Sequence, residues 1–295
     1  MKGKFAILSV SLWTFFTLAG FSMGKDQSHK FSLKLTGGYG TMAVCDLNAV
    51  IEGQDSYFND YVALLGLAKE GKLKKLNWGI DLDGEFILNL TENFGIGIGA
   101  GYIRRSNDSI ASLKQESFKS AYSIEPELTT IPVHASIYFF YPVAHSLNVY
   151  INGGMGYYWG KFSVTYRLDA ETVGEAPVWM ESKSQGNDQG FGFHGGAGIE
   201  FNIGSSLALF AEGRGRYCKL KRWEGDETWK DSDGWTDKIS GTWWYYEMLD
   251  SDLGKWFPLI EAVEDRPSGS DIRNARKFEA DLSGVSLRIG LRIKF

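Results

Sequence analysis

Eight stretches of this chain carry an apolar or small residue at every second position, and that period of two constrains the fold more than any other feature. They run from Phe31 to Tyr39, Trp78 to Leu90, Phe94 to Tyr102, Ile131 to Tyr141, Leu147 to Trp159, Phe191 to Phe201, Leu207 to Tyr217 and Val285 to Phe295. Alternation of this kind builds strands with one apolar face. A soluble sandwich and a membrane barrel both satisfy it, so the distinction rests on what lies between the strands and on their other face.

The connections alternate short and long. Tight turns are expected around 91–93, 142–146 and 204–206, and long loops around 41–75, 104–127, 165–189 and 220–277. Short turns on one side and long loops on the other are the habit of membrane barrels with both termini on the same side. Aromatics on the apolar parity gather at the strand ends. Tyr39, Trp78, Tyr102, Tyr157, Trp159 and Tyr217 fall toward the long loops; Phe94, Phe139, Tyr141, Phe201 and Phe295 fall toward the short turns. Two aromatic girdles around an aliphatic band suit the two membrane interfaces. The opposite parity holds Lys34, Asp81, Asp83, Glu85, His134, Glu200, Glu212, Arg214, Arg216, Arg288, Arg292 and Lys294. Unpaired charges cost several kcal/mol each in a dry core, so these residues must meet water or one another, and a closed lumen lets them do so. The expected fold is therefore all-β, an eight-stranded antiparallel transmembrane barrel with long extracellular loops. Lys221 to Lys277 is long enough to hold two more strands, which would make ten.

The first residues read as a secretory leader: Lys2 and Lys4, an apolar run from Phe5 to Ala19 interrupted by Ser and Thr, then small residues at Ser22 and Gly24. The expected organisation is a leader over 1–24 and a barrel over 25–295. The formal net charge is −5, and it becomes more negative when Lys2 and Lys4 leave, which gives no reason to expect a nucleic-acid partner. No later stretch has the 18 or more apolar residues of a membrane helix. Two cysteines, Cys45 and Cys218, make no disulfide framework; they either pair or stay as separate thiols.

On these residues the chain resembles the small outer-membrane β-barrel superfamily of Gram-negative bacteria, which includes the OmpA transmembrane domain, OmpX, OmpW and the opacity-type proteins. The segment Val285, Leu287, Ile289, Leu291, Ile293, Phe295 looks like that group's C-terminal insertion signal. The resemblance implies a cell outer membrane location, contact with outer-membrane lipid and lipopolysaccharide, and recognition by the barrel-assembly machinery. It covers the strands and none of the long loops, and it says little about function.

Four sets of residues are candidates for function. Eight strands leave an interior that side chains can fill, so Lys34, Asp81, Asp83, Glu85, Glu200, Glu212, Arg214, Arg216, Arg288, Arg292 and Lys294 form either a paired plug or the lining of a narrow path. In the first case the acidic row Asp81, Asp83, Glu85 is expected to pair with Lys34 and with the row Arg288, Arg292, Lys294. Second, His134 and Ser136 resemble a fragment of the lipid A deacylase PagL, but no carboxylate accompanies them; Asn148 and Asn152 stand on the adjoining strand, and a Ser without a positioned base is no nucleophile. Third, Trp223, Trp229, Trp235, Trp243, Trp244 and Trp256 crowd the last loop, either as the core of a cap over the barrel mouth or as an exposed surface for an extracellular ligand. Fourth, Asp231, Asp233 and Asp237 have a spacing reminiscent of a Ca²⁺ loop, without its terminal Glu. Near the first loop, Tyr57, Tyr61, Val62, Leu65 and Leu67 suggest a short helix over the mouth. The reading is a non-enzymatic barrel, without cofactor, acting structurally or at the cell surface through its loops. The alternatives are a narrow channel for ions or small apolar molecules and a lipid A-modifying enzyme.

Overall fold

The computed structural model describes residues 29–64, 66–67, 69–115 and 118–295, so the expected leader lies outside the described residues. In chain order the elements are β1 (Phe31–Thr41), helix α1 (Cys45–Leu64), β2 (Lys69–Gly71), β3 (Trp78–Asn89), β4 (Phe94–Ser106), β5 (Ser109–Gln115), β6 (Phe118–Ala144), β7 (Leu147–Thr172) and β8 (Val178–Ile203). There follow β9 (Leu207–Leu220), β10 (Glu224–Asp231), β11 (Thr236–Asp250), β12 (Lys255–Val263), β13 (Ile272–Lys277), β14 (Ala280–Asp281) and β15 (Gly284–Lys294).

Among the described residues, eight of these strands close a ring of antiparallel neighbours: β1, β3, β4, β6, β7, β8, β9 and β15. They are the eight alternating segments. The last joins the first with Leu33 opposite Ile293 and Leu35 opposite Leu291, so the sheet has no free edge at this level. The apolar parity points outward: Leu287, Ile289 and Phe191 are 78%, 71% and 74% exposed, which is the face a bilayer covers. Tyr39 stacks with Trp78 at the long-loop end, and Phe94 meets Phe139 at the short-turn end. No helix among the described residues is long and apolar enough to cross a membrane; the crossing is made by strands.

Two of the expected loops are not loops. β6, β7 and β8 are 27, 26 and 26 residues long, more than twice the ~9–11 needed to span a bilayer. They continue past the membrane through 118–130, 159–172 and 178–190, with β7 and β8 joined by a turn at 173–177. The polarity of their faces reverses where they leave the lipid. Below Ile131, Trp159 and Gln189, which pair in register, apolar residues point out and polar ones in. Above that level Ile124, Leu128, Phe162 and Val164 point inward and are buried, while Glu125, Lys161 and Lys183 point outward and are exposed. Water has replaced lipid outside, so the strand inverts its pattern to keep the apolar side dry.

The last long loop folds as more sheet. β10 replaces β9 beside β8 between Met180 and Asn187, β11 pairs β10, and β12 and β13 pair β11. These extra strands do not enter the ring, which stays at eight. The curved outer sheet encloses α1, whose Leu47, Val50 and Ile51 join Trp223, Trp243, Phe162 and Phe278 in an apolar core above the membrane. α1 starts at Cys45, well before the helical spacing suggested; of that expected set Leu65 lies outside the described residues and Leu67 follows the helix. Polar side chains fasten it: Asn48 accepts the Leu76 N–H at 2.7 Å, Asp55 accepts the Leu73 N–H at 2.8 Å, and Asp46 takes both Arg276 guanidinium nitrogens at 2.6 Å. The helix lies so close to β12 that a Cβ on Gly53 would fall 2.3 Å from the Pro258 ring. Cys45 is exposed and Cys218 buried, and both are free thiols.

Candidate functional site

The inward parity of the ring brings the expected lumen residues together in three tiers. Nearest the short turns, Glu200 receives Arg292 at 3.0 Å and Lys294 at 2.7 Å, and Arg292 also donates to Ser32 and Asn89 at 2.8 Å each. At the centre, Glu212 contacts Lys34 closely, lies 3.2 Å from Arg214 and 3.4 Å from Arg288, and accepts from Tyr150 and Asn152 at 3.0 Å. Beside it Arg288 reaches Asp83 at 3.3 Å, and Tyr138 donates a short hydrogen bond to Glu85. Nearest the outer layer, Asp81 holds Arg105 at 2.8 Å and Arg216 at 3.4 Å.

Of the pairing the sequence suggested, Arg288 with Asp83 forms. Arg292 and Lys294 pair with Glu200 instead of the β3 carboxylates, and Lys34 reaches past its in-register neighbour Glu85 to Glu212. Glu85 already accepts from Tyr138 and has Arg214 and His134 at 3.9 Å. Among the described residues, seven cations (Lys34, Arg105, Arg214, Arg216, Arg288, Arg292, Lys294) face five carboxylates (Asp81, Asp83, Glu85, Glu200, Glu212), an excess of positive charge. Aromatic rings meet part of it: Lys34 lies 4.6 Å from Phe210 and 4.9 Å from Tyr150, and Arg292 lies 4.3 Å from Phe140.

Sequence reasoning missed Arg105, His194, Tyr138 and Tyr150. All four stand on the lumen parity, so extending the period of two by one step in β4 and reading the inward face of β6, β7 and β8 finds them. His194 alters the reading of Ser136: its Nε2 sits 3.0 Å from the Ser136 Oγ, so the base that appeared lacking is present. No carboxylate among the described residues pairs with His194 to orient it. Asp83 and Glu85 lie 3.7 and 3.9 Å from the Nε2 of His134, whose ring meets that of His194 edge-on at 5.0 Å. Both Ser136 and His194 are buried inside the barrel, where the space between Asp81, Asp83, His134, His194, Arg214 and Arg288 is about 20 Å³, enough for one water.

Asp83, Glu85 and His134 are also the one group among the described residues with metal-capable atoms within 4.8 Å of one another. Arg214, 3.7 and 3.9 Å from the two carboxylates, already balances much of their charge. Asp231, Asp233 and Asp237 do not converge as a Ca²⁺ site would require. Asp231 uses Oδ1 to accept the N–H groups of Asp233 and Trp235 at 2.9 Å each, closing the β10–β11 hairpin, and Asp237 accepts the Lys238 N–H.

The tryptophans divide. Trp223 and Trp243 are fully buried against Phe162 at 5.2 and 5.0 Å, with their ring N–H groups on the Leu220 and Gln185 carbonyls. They form the core of a cap. Trp229, Trp244 and Trp256 are half-buried and Trp235 is 52% exposed on the hairpin tip.

A closed eight-strand ring with a charged interior, a lipid-facing band and aromatic girdles defines an outer-membrane barrel. Residues 14–240 match the family described as outer membrane protein beta-barrel domain, and the chain belongs to that family. It is a protein of the cell outer membrane. Among solved structures it is similar to Neisserial surface protein A, at 9% identity with a TM-score of 0.38 over 92% of this chain and 100% of that one. It is also similar to Ail, the attachment invasion locus protein of Yersinia pestis, at 12% identity with a TM-score of 0.35 over 90% and 99% of the two chains. A third is OprG from Pseudomonas aeruginosa, at 9% identity and a TM-score of 0.38 over 90% and 95%. No curated protein matches the chain significantly.

Proposed function

We propose that this protein is a non-enzymatic surface-interaction protein: the ring is a sealed anchor, and the folded layer above the membrane is the working part. The observation that supports this most is the arrangement of the lumen, where three tiers of ion pairs lie beneath an apolar core that runs across the barrel mouth from Leu47 to Trp243. Ions would have to break buried pairs and then cross that core. The layer above, by contrast, is built of extended strands and a docked helix, far more structure than closing an anchor needs. In this reading outer-membrane lipid and lipopolysaccharide surround the apolar band. The Val285–Phe295 face serves the barrel-assembly machinery, and the partner is extracellular.

The test has two arms. Purified protein in a planar bilayer is expected to show no sustained openings; stable conductance steps abolished by Arg288→Ala would replace the anchor with a channel. Cells displaying the protein are expected to adhere to a matrix-coated surface, and a variant with β10–β12 replaced by a short turn is expected to lose that adhesion while still inserting. Equal adhesion by both would refute the surface role.

A further inference from the structure

The outer layer contains a cavity of about 280 Å³ between α1 and the sheet, near the lower end of the roughly 300–1,000 Å³ usual for small-ligand pockets. Val50, Leu259 and Ile260 form its apolar side. Around them stand Tyr122 from β6, Tyr166 from β7, Trp229 from β10 and Tyr246 from β11, with the Tyr122 and Tyr166 rings stacked at 6.3 Å.

Two carboxylates open onto this aromatic enclosure. Glu227 is 4% exposed; its Oε1 accepts the Ser182 hydroxyl at 2.5 Å and the Ser184 hydroxyl at 3.4 Å, and its Oε2 has no hydrogen-bond partner among the described residues. Glu261 accepts the Tyr246 hydroxyl at 2.6 Å. Neither carboxylate forms an ion pair among the described residues. Arg167, the cation at the rim, is held by Asp169 at 2.9 Å and by Glu181 at 3.4 Å, with the Trp179 ring 4.9 Å away. The hydroxyls of Tyr122 and Tyr166 are likewise without partners among the described residues, and both residues line the cavity.

A carboxylate withdrawn from water costs several kcal/mol unless it meets opposite charge. The carboxylates buried in the lumen have each met one: Asp81, Asp83, Glu85, Glu200 and Glu212 all touch Arg or Lys, while buried Asp188 accepts two backbone N–H groups instead. Glu227 has hydroxyls alone. Aromatic faces around it favour a cation, and the free acceptors favour one that carries N–H donors.

We propose that this cavity binds a small organic primary ammonium, the charged head on Glu227 and Glu261 among the Tyr and Trp rings, the hydrocarbon body against Val50, Leu259 and Ile260. This rests on the outer layer being the working part of the molecule, and it specifies what one site in that layer recognises.

Tyramine is a suitable probe, and tyrosol, which has a hydroxyl in place of the ammonium, is its neutral counterpart. Calorimetric titration of the folded full-length protein is expected to show saturable tyramine binding, with tyrosol at least about tenfold weaker. Glu227→Gln, which retains an acceptor for the serine hydroxyls, is expected to weaken tyramine at least about thirtyfold, the low end for removing one member of a buried charge contact. Trp235→Ala, on the exposed hairpin tip, serves as a control and is expected to bind as the parent does. Heat-modifiable migration on a gel checks that each variant is folded. No saturation at millimolar tyramine, tyrosol binding as tightly, or undiminished binding by folded Glu227→Gln would each overturn the proposal. Failure of that kind leaves the surface role to the adhesion assay, which does not depend on this cavity.

Discussion

Glu212→Gln is the sharpest test of the sealed lumen. The substitution keeps the shape and one carbonyl acceptor but removes the charge at the centre of the middle tier. Arg288 retains Asp83, and Arg214 retains Asp83 and Glu85. Lys34 keeps the Tyr138 hydroxyl at 3.4 Å as its hydrogen-bond partner among the described residues, with the surrounding rings and its in-register neighbour Glu85. Breaking a buried pair by removing one partner costs about 3–5 kcal/mol, and a desolvated cation over aromatic rings recovers roughly 0.5–2 kcal/mol of that. The expected loss is therefore about 1–4.5 kcal/mol. Urea unfolding in lipid vesicles, followed by tryptophan fluorescence and by the heat-modifiable gel band, measures it. Adding Lys34→Met removes the orphaned charge, so the double variant is expected to recover much of the loss, with a coupling energy up to about 3 kcal/mol. A single variant within about 0.5 kcal/mol of the parent, together with a double variant that is simply additive, would refute the reasoning. It would mean that water already screens these charges and that the lumen is a hydrated path.

Trp223→Ala removes the ring packed on Phe162 and Phe278 and is expected to cost the cap about 3–5 kcal/mol, seen as protease cutting above the membrane while the ring stays resistant. Gly53→Ala forces a methyl onto Pro258 and is expected to destabilise the docking of α1 by about 1–3 kcal/mol, read in the same proteolysis assay. Burial raises the pKa of Glu227 above its ordinary value; the Glu261 charge adds to this, while the Ser182 and Ser184 hydroxyls oppose it. Tyr246 and Tyr166, from β11 and β7, face the same carboxylate. A pKa higher folded than unfolded gives stability that is complete below the unfolded value and lost as pH rises through the folded one. The cap of Glu227→Gln is therefore expected to be more stable than the parent's at neutral pH, with the difference vanishing in acid; hydrogen exchange of the outer strands at both pH values checks it.

The eight membrane strands were legible in the sequence because lipid imposes one rule on every crossing, apolar outward and polar inward, from Phe31 to Phe295. The lumen residues followed from the same parity, down to Arg288 and Glu212. Which charge meets which was not legible. Lys34 chooses Glu212 over Glu85 through side-chain reach across a narrow interior, and strand register alone does not decide that. The outer layer was hidden for a different reason. Above Ile131 and Trp159 the solvent changes from lipid to water and the strands invert their polarity, so a search for one continuous apolar parity stops at the membrane and reads the rest as loop. The tryptophans marked the layer without revealing that Trp223 and Trp243 lie inside it and Trp235 outside. Glu227 gave no signal at all, since nothing local distinguishes it from the acidic residues around it. Sequence alone pointed to a barrel of eight strands, with ten left open, and to the character of its two faces, because those follow from a period of two against a single solvent; the closed ring of eight came from the strand pairing. Only the tertiary structure decided that the lumen is filled, that the loops are a folded layer, and that an aromatic cavity with uncompensated carboxylates lies within it, because each depends on side chains brought together from strands far apart in the chain.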